Sequence, residues 1–121
     1  MEGKLAIETR DGAAPGHRVM KLAGPLVLKN IFDFQPAVRG EAPPLLVLEM
    51  AEVPYVDSAG IGALVNLHVS CQRSGRKLAL VGVNQRSRDV LAITQVEKLF
   101  HFFETVEQAE NADQDATPQA G

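Results

Sequence analysis

The sequence predicts a single α/β domain, with a mixed, mostly parallel central β-sheet and amphipathic helices in the order β-β-α-β-α-β-α-β-α. Three observations predict it. "LLVLEM" (45–50) and "KLALVGV" (77–83) are short, nearly continuous apolar runs, the pattern of strands buried on both faces of a sheet. Segments with apolar residues at helical spacing separate and follow them. With 121 residues, 45% of them hydrophobic, the chain suits one soluble globule with a real core and needs no staple.

The elements follow in order. "KLAIETR" (4–10) alternates Leu5 and Ile7 with polar neighbours, as a strand with one wet face does. "DGAAPG" (11–16) is a turn, and "HRVMKLAG" (17–24) alternates again, so a hairpin is expected. "GPL" (24–26) breaks that strand. "LKNIFDFQPAVRG" then places Leu28, Ile31, Phe32 and Gln35 at helical spacing, with Pro36 weakening the middle or marking a second short turn. After the loop "EAPP" (41–44) and the strand 45–50, a helix is expected from Ser58 to Arg73, with Ile61, Leu64, Val65, His68 and Cys71 on one face. Gly75 sits near the usual position just past a helix end. The strand 77–83 leads to an amphipathic segment, 84–96, with Val90, Leu91, Ile93 and Thr94 near one face. "KLFHFF" (98–103) reads as a short strand and "TVEQAE" (105–110) as the opening of a last helix. The domain is thus expected over 1–110. Residues 111–121, "NADQDATPQAG", hold no large apolar side chain and read as a flexible acidic tail.

Composition excludes several function classes. The single cysteine, Cys71, forbids an internal disulfide and points to a reducing, cytoplasmic setting. No signal-peptide pattern opens the chain, and no apolar run approaches the ~20 residues of a membrane helix, so no direct membrane insertion is expected. The net charge of −3 is uneven: five of the 15 acidic residues and none of the 12 basic ones follow Lys98. Basic residues are scattered and aromatics few, so no nucleic-acid partner is expected. Arg73, Arg76 and Lys77 suit a solvated helix end. His68 and Cys71, at i, i+3, make only half a metal site and read as core, so no metal and no cofactor are expected.

The stretch "VPYVDSAGIGAL" (53–64) puts Asp57 and Ser58 where a strand hands over to a helix. Three roles are open for Ser58. Asp57 or Ser58 can cap the helix, accepting bonds from the free N–H groups of the first turn. Ser58 as a nucleophile would need the elbow's Gly at position 56, which is Val, and a base in reach. His68 lies ten residues along the same helix, ~15 Å away, and His17 and His101 fall on predicted strands. No catalytic residue and no enzyme are expected. Ser58 as a phosphoacceptor is compatible with the fold, because a helix N-terminus tolerates an anion. Ala59, Gly60 and Gly62 let another surface approach closely, or equally serve tight helix–sheet packing.

At these residues the chain resembles the STAS domain family. The marks are "LAGPL" (22–26), "LLVLEM" (45–50), "VDSAGIGAL" (56–64), "LALVGV" (78–83) and "VLAITQVEKLFHFFETVEQA" (90–109), in the family's order. The resemblance, to the branch of anti-sigma-factor antagonists, implies a binding switch. The unphosphorylated domain binds an anti-sigma factor with Ser/Thr kinase activity and so frees the sigma factor. The kinase phosphorylates the Ser after Asp, here Ser58, and the complex separates. A Ser phosphatase resets it. Asp57, Ser58, Ala59, Gly60 and Gly62 would form the docking edge. Two positions depart from the pattern: Val27 stands where the antagonists usually carry Asp, and Glu49 where the strand ends near Asp. The change at Glu49 is the milder. The missing acid at Val27 favours a second reading, a non-switching STAS adaptor, such as a subunit of a lipid-transport ABC system or a signalling scaffold, while the intact Asp57–Ser58 pair favours the switch.

Overall fold

The computed structural model describes residues 3–40 and 42–115. Strand β3 (Leu45–Glu52) is its centre. Leu46, Leu48 and Met50 point to one face of the sheet and Leu45 and Val47 to the other, all buried, as a two-period strand between two covered faces requires. The sheet runs β1-β2-β3-β4-β5, with β1 (Ala6–Asp11), β2 (His17–Ala23), β4 (Lys77–Val81) and β5 (His101–Phe103). β1 and β2 form the expected antiparallel hairpin, and β2 to β5 are parallel.

The parallel crossovers put α1 (Leu28–Arg39), α2 (Ser58–Arg73) and α3 (Gln85–Ile93) on one face. Each starts at the carboxyl end of the strand before it. The helix α4 (Val106–Asp115) covers the other face. The first core is large, with Phe34, Leu64, Leu67, Leu91 and Phe100 over Met20, Leu22, Leu48 and Leu80. The second is a narrow strip, Val19, Leu45, Val47, Ala79 and Val81, under Ala109.

Several local expectations need correction. The buried stripe of α1 is Asn30, Ile31, Phe34 and Val38, whereas Leu28 and Phe32 face outward. The helix runs through Pro36, which removes one N–H and leaves the carbonyl of Phe32 without its usual donor. In α2 the stripe includes Leu67, while Val65 and His68 are only half-buried. In α3, Leu91 is buried and Ile93 is 79% exposed. The segment 97–99 is a 3₁₀ turn, so β5 starts only at His101. The closing helix passes the expected boundary at 110 and runs to Asp115, so residues 111–115 are helix rather than tail. The rest of the expected tail, 116–121, lies outside the described residues.

Two helices end in the same hydrogen-bond pattern with different chemistry. At the end of α2, Gly75 takes the left-handed conformation (φ 69°), with Arg76 N–H donating to Cys71 O (2.8 Å) and Gly75 N–H to Gln72 O (3.2 Å). At the end of α3, Val96 N–H donates to Leu91 O (3.0 Å) and Gln95 N–H to Ala92 O (3.0 Å), but the left-handed residue is Gln95 (φ 66°). A side chain there costs about 1–2 kcal/mol, against about 0.5–1 kcal/mol for glycine's extra entropy. Gln95→Gly should therefore stabilise the domain by roughly 0.5–1 kcal/mol in denaturant unfolding, with the slope unchanged.

Candidate functional site

The carboxyl ends of β2, β3 and β4 lead to three helix starts that meet at one edge. Beyond the strands, Leu26 and Val56 form a parallel bridge, with Leu26 N–H donating to Tyr55 O (3.0 Å) and Asp57 N–H to Leu26 O (3.2 Å). Asn84 caps α3 by accepting from Ser87 N–H (2.8 Å), and its amide donates to Val53 O (3.3 Å) and Pro54 O (3.1 Å) of the β3–α2 loop. Arg86 lies over the Tyr55 ring, 4.9 Å from its centre.

Asp57 is the cap of α2, and its two oxygens have different tasks. Oδ1 accepts from Gly60 N–H (2.9 Å) and Oδ2 from Leu28 N–H (3.1 Å), the first amide of α1. The residue before α1, Val27, has no side-chain oxygen to offer and makes no cap bond. One carboxylate thus serves both helix starts. Ser58 is the first residue inside α2, exposed and outside these capping bonds. Of the two residues open for the cap, the structure assigns the task to Asp57.

The small residues divide into two kinds. Gly60 is buried, and a Cβ there would lie 2.1 Å from the carbonyl oxygen of Leu26, so its smallness lets α2 start against the β2–α1 connection. Gly62 is exposed, with nothing within 4 Å of a Cβ placed there. Ala59 is half-buried and packs on the core. The outward surface at this edge is therefore Ser58 and Gly62, with Asp57 half-buried beside them.

Sequence reasoning missed the apolar residues that flank them. Leu28, whose amide touches Asp57, is 62% exposed, and Phe32, one turn along the same side of α1, is 76% exposed. Tyr55, in the loop before Asp57, is also exposed. The signal lay in the phase of α1: Ile31, Phe34 and Val38 form a complete inward set, which leaves Phe32 outside.

None of the three histidines is placed beside Ser58. His68 packs edge-on against Phe100 (5.7 Å between ring centres), His17 starts β2 at the opposite end of the sheet, and His101 is on β5. Cys71 is buried, and burial pushes its thiol up, as an inert core sulfur requires. Among the described residues no group of three or more His, Cys, Asp or Glu is placed to hold a metal ion, and no helix is long and apolar enough to cross a membrane.

A family model, the STAS domain, matches residues 4–109. A candidate anti-sigma factor antagonist of Thermotoga neapolitana is 31% identical over 64 residues, which are 53% of this chain and 57% of that protein, so the match spans little more than half of the relative. Among solved structures, an anti-sigma factor antagonist from Mycobacterium paratuberculosis superposes with a TM-score of 0.80 at 19% identity, over 92% of this chain and 95% of that one. The anti-sigma factor antagonist SpoIIAA in its unphosphorylated form superposes with a TM-score of 0.73 at 14% identity, over 93% and 100% of the two chains. A structure of SpoIIAA from Bacillus in the phosphorylated form gives a TM-score of 0.66 at 15% identity, over 89% and 99%. At these identities the superpositions speak for the fold.

The geometry separates the site's residues by stability. Asp57→Ala should cost about 2 kcal/mol, because it leaves two helix starts uncapped, while Ser58→Ala should change stability by less than about 0.5 kcal/mol. The two glycines should respond with opposite sign in the same unfolding measurement. Gly60→Ala should destabilise by about 1–3 kcal/mol through its clash with Leu26 O, and Gly62→Ala should stabilise by up to about 1 kcal/mol as an exposed helical position.

Proposed function

This chain belongs to the STAS domain family, and we propose that within it the protein is an anti-sigma-factor antagonist, a binding module rather than an enzyme, switched by phosphorylation of Ser58. The observation that carries the reading is the position of Ser58: exposed on the first turn of α2, with the capping task already performed by Asp57. A phosphate there adds roughly −1.5 to −2 charges. The start of α2 favours an anion and Asp57 opposes it, so the fold tolerates the change. A docked partner does not. Leu28 and Phe32 on α1 and Tyr55 before α2 are exposed apolar side chains on the elements that meet at this edge, and a phosphate covered by a partner seated on them would remain unpaired and desolvated.

In this reading the partner is an anti-sigma factor with Ser/Thr kinase activity, docked over Asp57, Ser58, Ala59 and Gly62, with Gly60 shaping the edge from inside. The kinase supplies the nucleotide and its metal, so this chain needs no cofactor, and a Ser phosphatase restores the binding form. The setting is the cytoplasm, where the transcription machinery is. The candidate antagonists among its relatives support the role.

One observation favours the adaptor reading instead. The start of α1 carries Val27 and no acid of its own, so Asp57 is the carboxylate that serves both helix starts beside Ser58. A constitutive STAS adaptor, in a lipid-transport ABC system or a signalling scaffold, needs no more than that.

Phosphopeptide mass spectrometry of the protein from growing and stressed cells, joined to binding of the co-purified partner, tests the switch. Phosphate is expected on Ser58 with occupancy that changes with condition. Ser58→Glu should weaken partner binding about tenfold or more while its melting temperature stays near wild type. Phe32→Ala should weaken binding with equally little effect on stability, since its ring is exposed. A bare Ser58 in every condition, with Ser58→Glu binding as well as wild type, selects the adaptor.

A further inference from the structure

The second face of the sheet holds a charged cluster that the Ser58 site does not use. Among the described residues α4 is the helix that covers this face, and its apolar anchorage is slight: Ala109 is buried and Val106 half-buried. Its other buried side chain is a carboxylate, Glu110. Facing it is His17, the first residue of β2, 6% exposed. Nδ1 of His17 lies 2.8 Å from Glu110 Oε1, and Nε2 lies 2.9 Å from Asp113 Oδ2. Lys77 of β4 places Nζ 2.9 Å from Asp113 Oδ1, and Ala13 N–H of the hairpin turn donates to Glu110 Oε1 (2.8 Å).

Among the described residues the groups around His17 are few. α4 contributes Glu110 and Asp113, and β4 contributes Lys77 behind Asp113. The hairpin contributes the backbone amides of Ala13 and Ala14, and β3 its register partner Leu45, which is apolar. For both ring nitrogens to donate to carboxylates the imidazole must be charged. A neutral ring keeps one N–H, and its other nitrogen then faces a carboxylate oxygen lone pair to lone pair.

We propose that His17, Glu110 and Asp113 form a pH-sensitive latch that locks α4 onto the sheet while the imidazole is protonated and loosens it when that proton leaves, uncovering the strip Val19, Leu45, Val47, Ala79 and Val81. The energetic asymmetry of the two faces makes this helix the one to respond. α1 and α2 are held by many large apolar side chains, whereas α4 rests on one buried alanine, the half-buried Val106 and the contacts of Glu110 and Asp113 with His17, Lys77 and Ala13.

The direction of the pH response follows from the shifts. Burial works to lower the His17 pKa, but hydrogen bonds and charge from Glu110 and Asp113 outweigh it and hold it above the ordinary 6.5. Burial works to raise the two carboxyls. His17 and the amides of Ala13 and Ala14 hold Glu110 below its ordinary 4.5, and Lys77 and His17 hold Asp113 below 3.8. A base raised in the folded state stabilises fully below 6.5 and loses that contribution as pH rises through its folded value. Acids lowered in the folded state stabilise above 4.5 and 3.8 and lose it as pH falls through theirs. The latch is tightest at about pH 5 to 6.5 and opens on the alkaline side.

Amide hydrogen exchange of the whole chain from pH 6 to 9, corrected for intrinsic rates and read beside the imidazole signals of His17, tests it. Protection of the α4 amides should fall about tenfold relative to β3 and β4 across the His17 titration. His17→Gln should leave α4 equally and weakly protected at both ends of the range. Asp113→Asn removes one charge and should move the His17 midpoint and the loosening of α4 together to lower pH. It carries the test alone if His17→Gln does not fold. Level α4 protection through the His17 titration overturns the latch. So does a loss that persists in His17→Gln, or a midpoint and a release that part company in Asp113→Asn.

Discussion

One carboxylate holds two helix starts. Asp57 accepts from Gly60 N–H with one oxygen and from Leu28 N–H with the other, so the starts of α1 and α2 are tied to each other at a single side chain. Its neighbours are arranged around that task. The bridge between Leu26 and Val56 brings the two strand exits side by side, and Gly60 lets the first turn of α2 close on the carbonyl of Leu26. Amides at a helix start must find partners, and α1 begins at a valine that offers none, so Asp57 supplies what the local sequence of α1 lacks. The serine beside it is thereby left without a structural duty.

The two faces of the sheet are held by different physics. On the side of α1, α2 and α3, burial of large apolar side chains dominates, and few titratable groups intervene. On the side of α4 the apolar strip is narrow and a buried histidine stands between two carboxylates. Buried charges contribute only while their pairing is complete. The second face therefore depends on a protonation state. The edge built by α1 and α2 belongs to the apolar side.

The order of elements was legible because parallel strands buried on both faces read as apolar runs, and because the turns carry Gly and Pro where the chain reverses. The hand-over at Asp57 and Ser58 was legible for the same reason, as the end of such a run. Which of the two residues caps α2 was not, since both side chains suit the role and only the path of the backbone decides. The face of α1 was misread because Leu28, Ile31, Phe32 and Gln35 satisfy the helical period as well as Ile31, Phe34 and Val38 do. Only burial in the folded core separates Phe34 from Phe32. His17 was read as an ordinary strand residue, because its partners lie 93 and 96 positions away in sequence and on a helix that was expected to end before reaching one of them.

The double engagement of Asp57 bears on how a charge at Ser58 would act. A carboxylate with one free oxygen could turn away from a phosphate beside it, and the helix start would reorganise. Here both oxygens are committed, and a turn would strip the cap from α1 or from α2, at a cost of about 1 kcal/mol for each bond. The phosphate on an exposed side chain can instead rotate toward solvent at little cost. The lower-energy response therefore leaves the backbone in place and puts the new charge on the outer surface at the first turn of α2. A switch built this way changes what the domain presents and leaves the domain itself unchanged, and any partner that discriminates the two forms must do so by touching that surface.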